Sequence, residues 1–172
     1  ITPDCMKGMF QNQATYPGYK EMAYLHPDFF TPDPSVLSNY GIAEGEPYFV
    51  VRFIEWSAYH DSGVKGLSDT QKAGLVQSLS GGGKVIACLE GDVPLPSGAF
   101  EVTDPLHVHS LLALSSGYVG EGATMAKEAA VLGAPSVFVS PLTGLVPIDV
   151  LCDRGAMFVS GNPDIQNILK FL

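Results

Sequence analysis

Charged residues are scarce in this sequence, and basic residues are the scarcer kind. Asp, Glu, Lys and Arg together account for 16% of the 172 residues, and 9 Lys and Arg stand against 18 Asp and Glu, for a net charge of −9. Proteins that bind nucleic acids or anionic membranes use basic surfaces to neutralise phosphates. We therefore expect no nucleic-acid partner and no attraction to an anionic membrane surface.

Cysteines and long apolar runs are scarce as well. The cysteines, Cys5, Cys88 and Cys152, are odd in number and widely spaced, which is typical neither of a disulfide framework nor of a zinc site. No apolar run reaches the ~18 residues of a membrane span, and no basic segment followed by an apolar one marks a signal peptide. These features predict a cytoplasmic protein without a membrane span or a bound metal.

Apolar residues and turn formers are abundant. The sequence is 46% hydrophobic and contains 19 Gly and 13 Pro, which excludes intrinsic disorder and predicts a compact chain with tight turns. Its length suits one domain with a substantial core. Because the chain opens on Ile rather than Met and prolines are scattered through residues 1–46, we expect it to be part of a longer protein.

From residue 47 onward, buried-strand patterns alternate with helical ones. Ser68 with Gln71 forms a capping box, Asp104 and Asn162 each precede a proline as N-caps, and Gly133 marks a helix end. Strands are predicted at residues 47–54, 84–88, 99–102, 117–120, 136–140 and 156–160, and helices between 68 and 81, between 104 and 115, and at 122–132, 146–153 and 163–172. This alternation predicts an α/β fold, namely a Rossmann-like doubly wound domain with a mostly parallel sheet.

In such sheets ligands bind beyond the carboxyl ends of the strands, so the loop GEGAT that opens at Gly120 is the first candidate site. Its small residues let backbone N–H groups approach an anion where a helix begins. Thr124 can add a hydroxyl, and Glu128, one turn further on, can accept hydrogen bonds from a ribose. Tight strand-to-helix packing is an alternative reason for the glycines, and the Glu121 carboxylate opposes an anion unless it points away.

The loop after the first strand, RFIEWSAYHDSGVKG, is the second candidate site. Arg52 can bind a phosphate bidentately, and His60 can transfer a proton near neutral pH with Asp61 orienting its ring. The alternative is that Arg52 forms an ion pair with Glu55 and that His60 is an ordinary loop histidine.

Three further residues have weaker claims to a function. His107 and His109 are two residues apart, so on a helix they point in different directions and cannot bind one metal ion. Glu90 follows the second strand and can touch a base or sugar, although a solvated turn carboxylate is the simpler interpretation.

The segment GYVGEGATMAKEAAVLGAPSV resembles the donor-binding segment of GT-B glycosyltransferase-like proteins, among them the UDP-N-acetylglucosamine 2-epimerases. More closely, GYKEMAYLHPDFFTPDPSVL, the run from PYFVVRFIEW to GLSD, and EGATMAKEAAVLGAP resemble the domain of unknown function 354 family of the same group, over about residues 18–135. The resemblance implies two Rossmann-like halves with a cleft between them. This chain would be the C-terminal half, with residues 1–46 as the connector from a missing N-terminal half and residues 47–172 as the nucleotide-sugar-binding domain.

The resemblance also implies site residues. Aligned on LGxP, the small-residue turn of the epimerases falls on Gly122, Ala123 and Thr124, which would hold a diphosphate, and their ribose-binding glutamate falls on Glu128. The epimerase serine is replaced by Gly122 and one glycine by Thr124, so the epimerase reaction itself is not implied. The histidine- and arginine-rich loop of the epimerases has no literal match here.

Two hypotheses follow from the sequence. In the first, the chain is the donor-side half of an enzyme that binds a nucleoside diphosphate or UDP-sugar for glycosyl transfer or epimerisation, with Arg52 or His60 at the reacting sugar and no required cofactor. Its partners would be the missing half and, on the exposed face, a second copy as a homodimer. The isolated chain would be inactive. In the second, it is a non-catalytic binding or scaffold module.

Overall fold

The computed structural model describes residues 1–55, 66–141, 144–161 and 164–172. Residues 1–46 form short elements that lie against the rest of the protein. Two strands, β1 (Thr2–Pro3) and β2 (Thr15–Tyr16), pair in parallel. They are followed by the short helix α1 (Met22–Leu25) and by a 3-10 helix at Pro34–Tyr40.

A six-stranded sheet forms the centre of the domain. Its strands are β3 (Tyr48–Phe53), β4 (Lys84–Leu89), β5 (Ala99–Glu101), β6 (Gly117–Gly120), β7 (Ser136–Val139) and β8 (Met157–Ser160). Every neighbouring pair is parallel, and the order is β5-β4-β3-β6-β7-β8. The chain runs outward from β3 to one edge and then returns to β6, so strand order reverses between β3 and β6. This is the order of a dinucleotide-binding Rossmann sheet, and the predicted doubly wound α/β fold is confirmed.

Helices cover both faces of the sheet. They are α2 (Asp69–Ser80), α3 (Val108–Leu114), α4 (Ala123–Val131), α5 (Val146–Asp153) and α6 (Ile165–Phe171). One face buries α3, α4, α5 and the 3-10 helix Pro34–Tyr40, and the other buries α2 and α6. Neighbouring residues of β3 alternate accordingly, because Val50 packs into the first layer and Val51 into the second. Within the described residues, no helix is long and apolar enough to cross a membrane.

The observed helix caps agree with the predicted ones at residues 68 and 104 and differ at α6. The Ser68–Gln71 capping box is present at α2, and the Asp104 carboxylate accepts a hydrogen bond from the Leu106 N–H at 2.9 Å. Asn162, the predicted cap of α6, lies outside the described residues, and the N-cap of the described helix is Asp164. The carboxylate of Asp164 caps this helix by accepting from the Gln166 N–H at 3.0 Å, so α6 begins two residues later than predicted.

Candidate functional site

The candidate site lies where strand order reverses, beyond the carboxyl ends of β3 and β6. The two strands pair so that Arg52 lies opposite Gly120 on one side and opposite Cys88 of β4 on the other. A pocket of about 330 Å³ opens above this point, lined by Arg52, Ile54, Glu90, Gly122, Ala123, Thr124, Met125 and Glu128. The structure thus brings together five of the predicted site residues: Arg52 from one candidate loop, and Gly122, Ala123, Thr124 and Glu128 from the other. Predicted residue His60 lies outside the described residues, as does Asp61.

The N-terminus of α4 forms one wall of the pocket. Gly122 is the N-cap and has no side chain to satisfy the N–H groups of the first turn, and the first bond of the helix runs from the Ala126 N–H to the Gly122 carbonyl at 3.1 Å. The N–H groups of the first helical turn have no partner within a helix and carry partial positive charge. Thr124 is exposed in this turn. The wall can therefore donate several hydrogen bonds to an anion in the pocket.

The two glycines of the loop have different roles. A Cβ at Gly120 would lie 2.7 Å from the Cβ of Arg52 and 2.7 Å from Cζ of Tyr118, so this position requires glycine for packing. A Cβ at Gly122 would meet nothing closer than Cγ of Arg52 at 3.6 Å, an ordinary contact. Gly122 lines the pocket and Gly120 does not. Tight packing therefore explains the glycine at position 120, and of the two glycines Gly122 is the one that lines the candidate site.

Glu121 is not among the residues that line the pocket. Glu121 is 2% exposed, and its Oε1 accepts a hydrogen bond from the Leu67 N–H at 2.6 Å. Its Oε2 lies 3.3 Å from the Ile54 N–H. Glu121 therefore ties the β6–α4 loop to the ends of two other segments, and both of its carboxylate oxygens have backbone N–H partners. Because this buried carboxylate does not line the pocket, the sequence-based objection to an anion there is weaker.

Arg52 is already paired, although not with the predicted partner. Its Nη2 donates to Oε2 of Glu90, which follows β4, and the side chain of Arg52 is 24% exposed. The expected alternative, a pair with Glu55, is not formed. Glu55 is exposed, and its Oε2 lies 3.4 Å from the Asp92 N–H. Arg52 and Glu90 lie at the ends of adjacent strands, which explains why the arginine reaches this carboxylate across the mouth of the pocket.

Glu128 is held by two side chains that the sequence did not connect with it. It is 8% exposed, and its Oε1 accepts a hydrogen bond from the Tyr24 hydroxyl at 2.7 Å and lies 3.5 Å from Nε2 of His109. Burial by itself raises the pKa of Glu128, but the hydrogen bonds and charges of His109, Tyr24 and Lys127 outweigh it and lower the pKa below its usual value. Glu128 is thus an ionised carboxylate at neutral pH, which accepts hydrogen bonds and donates none.

The two histidines on either side of Val108 have separate environments. His107 ends a 3-10 turn, and its Nδ1 lies 3.0 Å from the Tyr40 hydroxyl. His109 lies in α3, next to Glu128. His109 therefore contacts a residue that lines the pocket, whereas the spacing of the two histidines bears only on metal binding.

A second concavity lies beyond β7 and β8. It measures about 290 Å³ and is lined by Ser140, Gly144, Leu145, Ile148, Asp149, Cys152, Val159 and Gly161. Among the described residues that line it, no side chain is basic. The pocket at the β3–β6 reversal combines a cation, a helix N-terminus and a carboxylate, and is therefore the better site for a charged ligand.

Comparison with known proteins identifies the fold. No protein-family model matches this chain, and no curated protein matches it in sequence. A UDP-GlcNAc 2-epimerase from Neisseria meningitidis, solved bound to UDP-GlcNAc, aligns with a TM-score of 0.52 and 10% identity over 79% of this chain and 37% of that chain. The glycosyltransferase SnogD from Streptomyces nogalater aligns with a TM-score of 0.49 and 18% identity over 92% and 42%. The chain thus spans less than half the length of either protein. The alignment with the epimerase shows that the two share a GT-B-like, Rossmann-like α/β fold.

Proposed function

We propose that this chain is the donor-binding half of a GT-B-like enzyme and that the pocket at the β3–β6 reversal binds the diphosphate and ribose of a nucleoside-diphosphate sugar. The observation that carries the proposal is the meeting of Arg52, the first turn of α4 and Glu128 in that one pocket. The volume of about 330 Å³ lies at the lower end of small-molecule sites and suits part of a nucleotide sugar. The remainder of the ligand would face a second domain.

Each wall of the pocket matches one part of such a ligand. The N–H groups at the start of α4 and the Thr124 hydroxyl would donate to the diphosphate, and the ionised Glu128 would accept from ribose hydroxyls. Arg52 would stabilise the charge that develops on a departing nucleoside diphosphate, without a required cofactor. His60 remains a prediction for the proton-transfer residue at the reacting sugar.

The same proposal extends to the rest of the protein. We assign the chain to the domain of unknown function 354 family and regard it as the C-terminal half, with residues 1–46 as the connector. The acceptor side of the cleft would then belong to an N-terminal half, and the 172-residue chain alone would be inactive. A cytoplasmic location and a homodimer through the exposed face belong to this proposal.

The Arg52–Glu90 ion pair bears on how an anion would bind. Glu90 has a side chain that is 56% exposed, so it can turn into solvent when a phosphate takes its place on Arg52. The pair also supports the alternative of a non-catalytic module, because the charge of Arg52 is already balanced without a ligand. The enzyme function predicts that a nucleoside diphosphate displaces Glu90 from Arg52, and the non-catalytic module predicts that it does not.

Isothermal titration of the chain with UDP and a panel of other nucleoside diphosphates tests the proposal. Glu128→Ala and Thr124→Val should each weaken binding by ~1–3 kcal/mol, the loss expected for a charged or buried hydrogen-bonding partner. Glu90→Gln should tighten binding, because it removes the competitor for Arg52. Thr103→Val, at an exposed threonine away from the pocket, is the matched control for Thr124→Val and should bind as the unsubstituted chain does.

The absence of binding heat at millimolar ligand, with a folded domain confirmed by circular dichroism, would contradict the proposal. It would favour the scaffold module. Binding that is unaffected by both Glu128→Ala and Thr124→Val would show that the nucleotide occupies a different surface.

A further inference from the structure

The connector contacts two consecutive residues of α4, Lys127 and Glu128. Helix α1 places Glu21, its N-cap, and Tyr24 three residues apart, so that they lie on one face. The Lys127 ammonium donates to Oε1 of Glu21 at 2.7 Å, and the Tyr24 hydroxyl donates to Oε1 of Glu128 at 2.7 Å. Glu21 is fully buried, which fixes the position of this face against α4. Tyr24, although 42% exposed, is therefore held with its hydroxyl on Glu128.

His109 is held against Glu128 by the same segment. Its ring lies 5.5 Å from that of Tyr24 in a tilted stack and 5.9 Å from that of Phe30 in an edge-on contact. A hydrogen bond of 3.0 Å from the Asp33 N–H to the Ser110 hydroxyl anchors the connector to α3 beside this ring. The imidazole is thus fixed by two aromatic rings from the connector, and its Nε2 faces Oε1 of Glu128.

Both of these partners use the same carboxylate oxygen. Within residues 1–55, 66–141, 144–161 and 164–172, the Tyr24 hydrogen bond and the His109 contact at 3.5 Å both fall on Oε1 of Glu128. Glu128 also lines the pocket. An ionised carboxylate has two oxygens and about four acceptor positions, so fixing one oxygen orients the other without using it.

We infer that Tyr24 and His109 are positioning residues that hold Oε1 of Glu128, so that Oε2 selects a ribose by accepting from its hydroxyls. This inference rests on the proposed function. It makes the connector a part of the donor site, and it predicts discrimination between ribonucleotides and deoxyribonucleotides. A buried carboxylate that meets a ligand without hydroxyls loses its partners on that side, and this loss disfavours the deoxy ligand.

The test compares UDP with 2′,3′-dideoxy-UDP by isothermal titration. The unsubstituted chain should bind UDP at least ~10-fold more tightly, and Tyr24→Phe should reduce that ratio by ~3- to 10-fold, because the ring stays on His109 while the hydroxyl is lost. His109→Gln keeps an N–H donor near the place of Nε2 and should retain more of the ratio than His109→Leu, which has none. Tyr40→Phe is the matched control, since it removes another connector hydroxyl that bonds a histidine but not Glu128.

The outcomes separate the two proposals. A ratio that Tyr24→Phe leaves unchanged, or that Tyr40→Phe reduces equally, overturns this inference while the donor site stands. Binding of both ligands with equal affinity by the unsubstituted chain also overturns it. If neither UDP nor another nucleoside diphosphate binds the folded chain, the proposed function fails and this inference fails with it. Should Tyr24→Phe not fold, the comparison of His109→Gln with His109→Leu decides the question.

Discussion

Alanine substitutions at Gly120 and Gly122 would separate packing from ligand binding in the β6–α4 loop. Both positions lack a positive φ, so strain at the backbone does not enter. At Gly120 the new methyl group would meet Cβ of Arg52 at 2.7 Å, and that atom cannot move without moving β3, which is paired to β6 at this residue. At Gly122 the methyl group would meet Cγ of Arg52 at 3.6 Å, which is normal van der Waals contact.

The expected changes in stability follow from these distances. Overpacking costs ~1–3 kcal/mol, and replacing glycine by alanine returns ~0.4–1 kcal/mol through the unfolded chain, so Gly120→Ala should lose roughly 1–2 kcal/mol. At Gly122 the same gain offsets the loss of a favourable N-cap residue, which is of similar size, so the free energy of unfolding should stay within ~0.5 kcal/mol. The methyl group there would instead occupy pocket space next to the first turn of α4 and reduce UDP affinity by ~10-fold.

Urea denaturation followed by far-ultraviolet circular dichroism measures the first effect. With a slope of ~1–3 kcal/mol per molar urea, Gly120→Ala should lower the midpoint by roughly 0.5–1 M, while Gly122→Ala should leave it nearly unchanged. Titration with UDP measures the second effect. The reasoning is refuted if Gly120→Ala is as stable as the unsubstituted chain, or if the two variants are destabilised alike.

Two further predictions concern the carboxylates of the loop and of α4. Glu121→Ala removes the acceptor of the Ile54 and Leu67 N–H groups and should lower the free energy of unfolding by ~1–3 kcal/mol. Glu55→Ala, the control at an exposed carboxylate, should change it by less than ~0.5 kcal/mol. Equal losses of the two variants in urea denaturation would contradict this prediction. The pKa of Glu128 in the folded state lies below its ordinary 4.5, so its ionised form stabilises the fold above that pH. The difference in the free energy of unfolding between the unsubstituted chain and Glu128→Gln should therefore shrink as the pH falls from 4.5 through the folded-state pKa. A difference that grows over this range would show that the pKa is raised instead.

The order of strands and helices was predictable because the local signals agree with one another. The predicted strand at residues 136–140 is β7 (Ser136–Val139), and the predicted helix between 68 and 81 is α2 (Asp69–Ser80), with its Ser68–Gln71 capping box present. A strand buried on both faces requires a continuous apolar run, and a helix requires caps, so both leave a mark within a few residues. The cap of α6 was missed since two cap-forming residues, Asn162 and Asp164, lie on either side of a proline. The Asp164 carboxylate satisfies N–H groups at two residues of the first turn, which places the start of the helix after it.

The partners of the site residues were not predictable in the same way. The Arg52 ion pair joins the ends of two strands, and its partner depends on which strand lies beside β3. The Tyr24–Glu128 hydrogen bond joins residues 104 positions apart. An exposed tyrosine in a proline-containing segment carries no pattern that relates it to a glutamate on a later helix. Contacts of this kind arise only when residues 1–46 pack onto α4.

The α/β alternation, the parallel sheet and the small-residue loop at the start of α4 could be predicted from the sequence, because each depends on residues close together in the chain. What that loop faces depends on the tertiary structure. It placed β3 beside β6, buried Glu121 against backbone N–H groups, paired Arg52 with Glu90 and brought Tyr24 and His109 into contact with Glu128. Side-chain partners depend on strand order and on the packing of the layers. Both are set by burial across the whole domain, so no local spacing in the sequence predicts them.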